Sequence, residues 1–403
     1  MRVLAIHRYY WPDSPPYASL LRAITATWTD HGHQVDVLTS QPSYKPELAN
    51  ARRPAVEHLD RTTVRRIAMR PDRSGRGRQL TNMVRFPLLV AWHVLRGPRY
   101  DVVMCSTAPP VLLGAAVSWA ARRRGARFVY HCMDLHPEIG VLSGQFSNPI
   151  VRKVLTLLDR GACRRAAVVV VLSGDMRASL LRRDPGLAGR IVVLNNFELP
   201  DFDAAESTSP LAPDPDRLRI VFTGNIGRFQ GLESVVRAVL EDDGLAHVQL
   251  VLMGEGGAKQ ELRELIHAAT EDRRERVVLL PHGTPGEARA LAGTADLGLV
   301  SLVPGVIDYA YPSKTATYLS ASLPVLVVVE QSSELARMVV ENAIGAVLPR
   351  DTEGMRQVLH ELGSDRQRLA GMRVRAGEVW AKELAAEELL PRWTELLERL
   401  AVA

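Results

Sequence analysis

Long apolar runs are missing: nothing in the 403-residue chain approaches the ~18 consecutive apolar residues of a membrane span. The opening Met1-Arg2-Val3-Leu4-Ala5-Ile6 meets His7-Arg8 after only a short run, so it reads as a strand and not as a signal peptide. Cysteine is scarce. Cys105, Cys132 and Cys163 are odd in number and lack metal-ligand spacing, which predicts reduced, mostly buried thiols in a cytosolic protein. Aromatics make up 5% of the chain, and five lysines stand against 45 arginines, so one arginine run carries little weight. No G-x-G-x-x-G follows the opening strand, which disfavours a dinucleotide site. No Asp-x-Asp stands where a metal-bound diphosphate would need one.

What is present is alternation. The length predicts two domains. In the first half, apolar strand candidates at Val3–Ile6, Val35–Thr39, Val102–Cys105, Arg127–His131, Val168–Leu172 and Ile191–Leu194 are separated by amphipathic stretches such as Ala18–Thr29 and Pro110–Arg124. The second half repeats the scheme with Arg219–Phe222, Val248–Met253, Val277–Leu280, Leu297–Ser301, Val325–Val329 and Ala346–Leu348. Alternating strands and helices imply parallel sheets covered on both faces. The segment FELPDFDAAESTSPLAPDPD, 197–216, has no periodicity and reads as the linker. The expected domains are thus 1–198 and 199–380, with a C-terminal helix at about 381–403 packing back on the first. Two doubly wound domains facing each other would place a ligand in the cleft between their strand ends.

Charge divides unevenly. Residues 1–200 hold 29 Lys and Arg against 14 Asp and Glu; the remainder holds 21 against 31. A basic first half suits nucleic acid, an anionic membrane face or a lipid diphosphate, or is simply a solvated arginine-rich surface. MVRFPLLVAWHVLRGPR, 83–99, is apolar at its centre and basic at its ends. It fits either a helix buried against the sheet or an interfacial patch bearing Trp92. In the second reading, Arg73, Arg76, Arg78, Arg85, Arg96 and Arg99 meet the surface and the Phe86–Leu95 apolar face enters it.

Three turns in the second half predict an anion site. Gly224-Asn225-Ile226-Gly227-Arg228 follows one strand and precedes a helical pattern. Gly254-Glu255-Gly256-Gly257 repeats that arrangement. Pro312-Ser313-Lys314-Thr315 opens a third helix, with Ser313 as its expected cap and Lys314 adding a full charge. One such turn is weak evidence; three together suit a nucleotide diphosphate. In the first half, Asp134, His136 and Glu138 follow the strand ending near His131, where sugar contacts would fall. His136 serves either to orient a hydroxyl or as a structural hydrogen-bonder, and Glu138 equally suits a helix cap.

The chain resembles the retaining glycosyltransferases of family 4, with the two-domain GT-B fold, through HGHQVDVLTSQPSY, DLHPE, LSGDMRASL, VLNNFE, GNIGRFQGLESV, MGEGG and PSKTATYLSASLPVL. It is most similar to the branch that builds bacterial surface polysaccharides, often with amino-sugar donors. That resemblance implies an α/β, GT-B enzyme, a hexosyl- or N-acetylhexosaminyltransferase. It would move a sugar from a nucleotide diphosphate, UDP by expectation, to a lipid-linked or polysaccharide acceptor. Lys314, Arg228, Asp134 and His136 are the implied catalytic set. Gly224, Asn225, Gly227, Gln230, Gly254, Gly256, Ser313, Thr317 and Asp308 are the implied donor contacts, and Tyr17 and Glu138 lie on the acceptor side. The family's arginine and lysine in the first turn are replaced by Asn225 and Gln230. Its two glutamates fall on Tyr309, beside Asp308, and on Thr317. Its paired N-terminal glycines become Ser14-Pro15-Pro16-Tyr17, and only Asp134 of its His-Asp pair carries over. Charge growing on the departing diphosphate would be met by Lys314, Arg228 and the Gly224–Gly227 N–H groups, with no metal or other cofactor. The implied setting is the cytoplasm, peripheral at the inner face of the plasma membrane through the basic first domain, without nucleic acid. Three other readings remain: a transferase decorating a small natural product, a nucleotide-sugar epimerase or hydrolase, and a non-catalytic nucleotide-sugar-binding protein.

Overall fold

A computed structural model describes residues 1–13, 16–42, 52–69, 76–144, 146, 148–198 and 207–402, with the side chains of 76–79 and 402 outside that description. Ser14, Pro15, Arg73 and residues 199–206 of the expected linker therefore lie outside the described residues, as do the side chains of Arg76 and Arg78. The chain forms two compact units. One comprises residues 1–200, 309–311 and 386–403; the other comprises 201–308 and 312–385.

The first unit runs β1 (Arg2–Ile6), α1 (Pro16–Asp30), β2 (Gln34–Ser40), β3 (Val56–Leu59), β4 (Thr62–Ile67), α2 (Arg76–Arg96), β5 (Val102–Ser106), α3 (Leu112–Arg124), β6 (Arg127–Cys132), α4 (Glu138–Leu142), α5 (Pro149–Arg165), β7 (Val168–Val171), α6 (Gly174–Arg183) and β8 (Ile191–Val193). Its eight-stranded sheet has the order β3-β4-β2-β1-β5-β6-β7-β8, parallel except for β3 against β4. One face is covered by α1 and the C-terminal helix, Ala386–Val402. There Leu21, Ile24 and Trp28 meet Trp393 and Leu397 over Val3, Ala5 and Val37. Trp28 donates its indole N–H to the Trp393 carbonyl at 3.3 Å. The final helix begins at Ala386 and not near 381, because one wide turn at Trp380–Leu384 ends in extended backbone at Ala385.

The sequence reading lacks the β3–β4 hairpin. Its two-residue turn, Asp60-Arg61, has φ of 49° and 60°. Such turns usually advertise themselves with Asn-Gly or Asp-Gly, and Arg61 hides this one. Arg22 of α1 binds the Asp60 carboxylate at 2.6 Å.

The second unit runs β9 (Leu218–Thr223), α7 (Leu232–Glu241), β10 (Val248–Met253), α8 (Lys259–Ala268), α9 (Glu271–Arg274), β11 (Val277–Leu280), α10 (Pro285–Gly293), β12 (Leu297–Ser301), α11 (Lys314–Ser320), β13 (Val325–Val328), α12 (Glu334–Glu341), β14 (Gly345–Val347), α13 (Thr352–Ser364) and α14 (Arg366–Val379). Its six strands are all parallel, in the order β11-β10-β9-β12-β13-β14. Each strand is apolar on both faces, as a doubly covered parallel sheet requires. Winding reverses between β1 and β5 in the first unit and between β9 and β12 in the second. Open α/β sheets bind ligands outside the carboxyl ends of their strands at such reversals.

Candidate functional site

At the carboxyl end of β9, the first two glycine turns are built against each other. Gly224 N–H donates to the Met253 carbonyl at 2.9 Å, Ile226 N–H to Glu255 at 2.8 Å, and Ala258 N–H to Ile226 at 3.0 Å. The contact tolerates no side chain: a Cβ on Gly254 would lie 1.8 Å from the Gly224 carbonyl oxygen. Gly224 itself has φ of +113°, a conformation that L side chains rarely adopt.

Lys314 reaches this turn from the start of α11. A Cβ on Gly224 would sit 3.6 Å from its Nζ, which lies 4.3 Å from the centre of the Phe222 ring. Among the described residues no carboxylate and no hydrogen-bond acceptor pairs with this ammonium. Burial lowers its pKa to about 8. An unpaired, desolvated cation is costly unless something anionic joins it. Next to it, the Thr315 hydroxyl is buried without a partner.

Other expected contacts are arranged differently from the sequence reading. Gly224 and Ile226 spend their N–H groups on β10 and its turn, and Gly227 donates to Gln230 Oε1 at 3.0 Å. Three of the four Gly224–Gly227 donors are thus occupied. Asn225, Gly256 and Gly257 keep N–H groups without a partner among the described residues. Gln230 braces the turn, and its own carbonyl accepts from the Ser301 hydroxyl at 2.5 Å. Arg228 begins a short 3-10 turn that separates the glycines from α7; it is exposed and paired with Glu261 at 2.9 Å. Ser313 precedes α11 in helical conformation, and its side chain accepts no N–H, so it does not cap. Asp308 and Thr317 are half-buried.

In the first unit, Asp134 and His136 follow β6. Asp134 pairs through its backbone with Ala310 in an isolated antiparallel bridge, and Leu135 N–H donates to Tyr309 at 2.7 Å. The Asp134 carboxylate has no partner among the described residues, and burial raises its pKa to about 6. Burial lowers that of His136 to about 4, and its Nδ1 is buried without a partner. Glu138 opens α4 without capping it. Its carboxylate binds Arg183 of α6 at 3.2 Å, and Arg183 also holds the buried Asp159. Tyr17 lies in the interior, not at an acceptor surface: its hydroxyl meets His131 Nδ1 at 2.9 Å beneath the strand ends.

Residues 17–196 match the glycosyl transferase 4-like domain. The glycosyltransferase WbjE of Pseudomonas aeruginosa is 25% identical over 276 residues, 66% of this chain and 67% of the relative. The colanic acid biosynthesis glycosyl transferase WcaI of Escherichia coli is 23% identical over 84% of this chain and 86% of its own. The chain is thus similar to family 4 glycosyltransferases, with the domain match confined to residues 17–196. Its GT-B fold is shared with sucrose-phosphate synthase from Thermosynechococcus elongatus, at TM-score 0.73 and 17% identity over 100% of this chain and 99% of that one. HepE of Anabaena, solved in complex with UDP, matches at TM-score 0.69 and 14% identity over all of both chains.

One residue of the second glycine turn escaped the sequence reading. Lys259 is buried, and its ammonium donates to the carbonyls of Gly254 at 2.7 Å and Leu280 at 3.0 Å and binds Glu255 at 2.6 Å. It fixes the loop that carries the free Gly256 and Gly257 N–H groups. The available signal was a rare lysine four residues beyond a glutamate at a helix start.

Proposed function

We propose that this protein is a glycosyltransferase that moves a hexose or N-acetylhexosamine from a UDP-sugar, with retention at the anomeric carbon, to a saccharide acceptor that is lipid-linked or part of a growing surface polysaccharide. The observation that carries the donor half is Lys314, an ammonium without a counter-charge beside the Gly224 turn. HepE structures in complex with UDP and with UDP-glucose support UDP as the nucleotide, and the colanic acid relative supports a polysaccharide product.

In this reading Lys314 and the Asn225, Gly256 and Gly257 N–H groups receive the diphosphate. As the bond from the anomeric carbon to the phosphate oxygen breaks, negative charge grows there and Lys314 meets it. The acceptor hydroxyl oxygen forms the new bond on the same face, and its proton passes to the departing phosphate oxygen. No enzyme base is then required, whereas two-carboxylate hydrolysis needs a positioned acid and base. Arg228 is left with a screening role at most, since Glu261 already holds it. Asp134 accepts a hydrogen bond from a sugar hydroxyl, and His136, neutral near pH 7, orients a second.

The test is UDP release from a panel of nucleotide sugars, with and without a bacterial lipid extract. Release from one UDP-sugar that depends on the extract, with an α-linked product from an α-linked donor, supports the proposal. Equal release without any acceptor would replace it with hydrolysis.

A further inference from the structure

On the face of the first sheet opposite the C-terminal helix, α2 packs on α3, and α3 packs on α5. Tyr130 of β6 lies under both α3 and α5: its ring sits against Gly114, and its hydroxyl donates to Asp159 at 2.9 Å. The outer side of this layer is apolar. On α2, Phe86, Val90 and Val94 are in the core, but Leu80, Val84, Leu88 and Trp92 form an exposed stripe at four-residue spacing. Of the Phe86–Leu95 segment expected to meet a membrane, Phe86, Val90 and Val94 are therefore interior, whereas Leu88 and Trp92 are exposed.

α5 goes further. None of residues 149–158 is buried; the buried Asp159, Ala162 and Cys163, and the pairs that Arg160 and Arg164 make with Asp184, all lie in the second half of the helix. Ile150, Val151, Val154, Leu157 and Leu158 fall on one side of it and are 38–73% exposed. Nearly three helical turns of this kind expose a contiguous apolar side, the mark of a surface that something covers.

Charge identifies the cover. Residues 76–96 and 112–124 contain no Asp or Glu, and Asp159, the single acid of α5, is buried beneath Arg183. Arg85, Arg96, Arg152, Lys153 and Arg165 are exposed around the apolar stripes, while Arg164 is held by Asp184. Arg96 lies over the Trp92 ring at 4.6 Å, and Arg123 over Trp119 at 4.9 Å. A second copy docked face to face would oppose like charges, and a nucleic acid would leave the apolar stripes in water. An anionic bilayer satisfies both features, taking the side chains of α5 into its interface and its lipid headgroups against the arginines.

We propose that the first half of α5, flanked by the exposed stripe of α2, is the surface through which this protein lies on an anionic membrane. It goes beyond the donor reading and is tested without turnover. The full-length protein is sedimented with vesicles of phosphatidylcholine alone and with added phosphatidylglycerol, while tryptophan emission reports on Trp92 and Trp119. Binding is expected only to the anionic vesicles, with a blue shift and release by salt. Val154→Asp with Leu157→Asp should raise the lipid concentration for half-binding at least ~10-fold. Arg152→Glu with Lys153→Glu should weaken it as well. Both variants should keep wild-type circular dichroism and UDP affinity. Wild-type binding that survives the double aspartate variant, or no vesicle binding at all, overturns the proposal. So does a wild-type dimer that the aspartate variant converts to monomer.

Discussion

Replacing Lys314 by methionine separates the cost of this residue from its use. Burial holds its pKa at about 8 instead of 10.5. At 1.36 kcal/mol per unit, and allowing for partial exposure, the charged form costs the ligand-free protein on the order of 2 kcal/mol. The sign follows from linkage. Between about pH 8 and 10.5 the unfolded chain holds the proton and the folded chain does not, so wild-type stability rises with pH across that window. Lys314→Met should therefore be more stable near pH 7, by roughly 1–2 kcal/mol, with the difference closing by pH 10.5. UDP should reverse the preference, because a bound diphosphate favours the ammonium. Only about a tenth of a group titrating near 8 is protonated at pH 9, so wild-type Kd for UDP should rise about tenfold between pH 7 and 9. Calorimetry in buffers of different ionisation enthalpy would detect the accompanying proton uptake. Lys314→Met should bind weakly with a flat profile over the same range, and it serves as the control for titration of the uracil itself. Its kcat should fall ~100-fold, the scale of one transition-state donor. A wild-type Kd that does not change from pH 7 to 9, or a variant that binds UDP within twofold of wild type, would show that Lys314 does not contact the diphosphate.

Three further outcomes are expected. Chelation by EDTA should leave turnover intact and added magnesium should not raise it; abolition by EDTA with recovery on manganese would refute a diphosphate neutralised by Lys314 and N–H groups. Gly254→Ala should lower stability by roughly 2–4 kcal/mol and weaken UDP binding, because its methyl collides with the Gly224 carbonyl, whereas Gly257→Ala, which enters open space, should do neither by thermal melting or calorimetry. Asp134, held at about 6 by burial, destabilises the folded state increasingly as pH rises from 3.8 through 6, so Asp134→Asn should be the more stable protein at pH 7 by on the order of 1–2 kcal/mol and equal to wild type below pH 4, while losing activity.

The strand positions were legible because parallel strands covered on both faces are short apolar runs. Val248–Met253, Val277–Leu280 and Leu297–Ser301 match the sequence reading residue for residue. The β3–β4 hairpin was not legible, since β3 reads VEHL, half of it polar, and its turn uses arginine. The glycine turns could be located from sequence, but their hydrogen bonding could not. Nothing in GNIGR shows that β10's turn claims the Gly224 and Ile226 N–H groups. Arg228 and Lys314 look equivalent as cations in one dimension. Three-dimensional packing gives the first a carboxylate and leaves the second with an aromatic ring. Tyr17 and Glu138 show the same limit, because a buried histidine and an arginine some forty residues away decide their roles.

The Trp28–Trp393 contact also bears on how the chain comes off the ribosome. The face of the first sheet that receives Trp393 is made before its cover, which follows the whole second unit in the chain. Residues 201–308 and 312–385 can therefore be complete, and folding, while Leu21, Ile24 and Trp28 still face water. The nascent first domain must pass that interval with an open apolar face, which is the condition under which chaperones bind and aggregation begins. Loss of the final helix would remove nothing from the glycine turns that hold Lys314, yet it would leave the other domain without one side of its core. A stop codon near 385 should thus yield a protein whose nucleotide site is intact and whose solubility is lost.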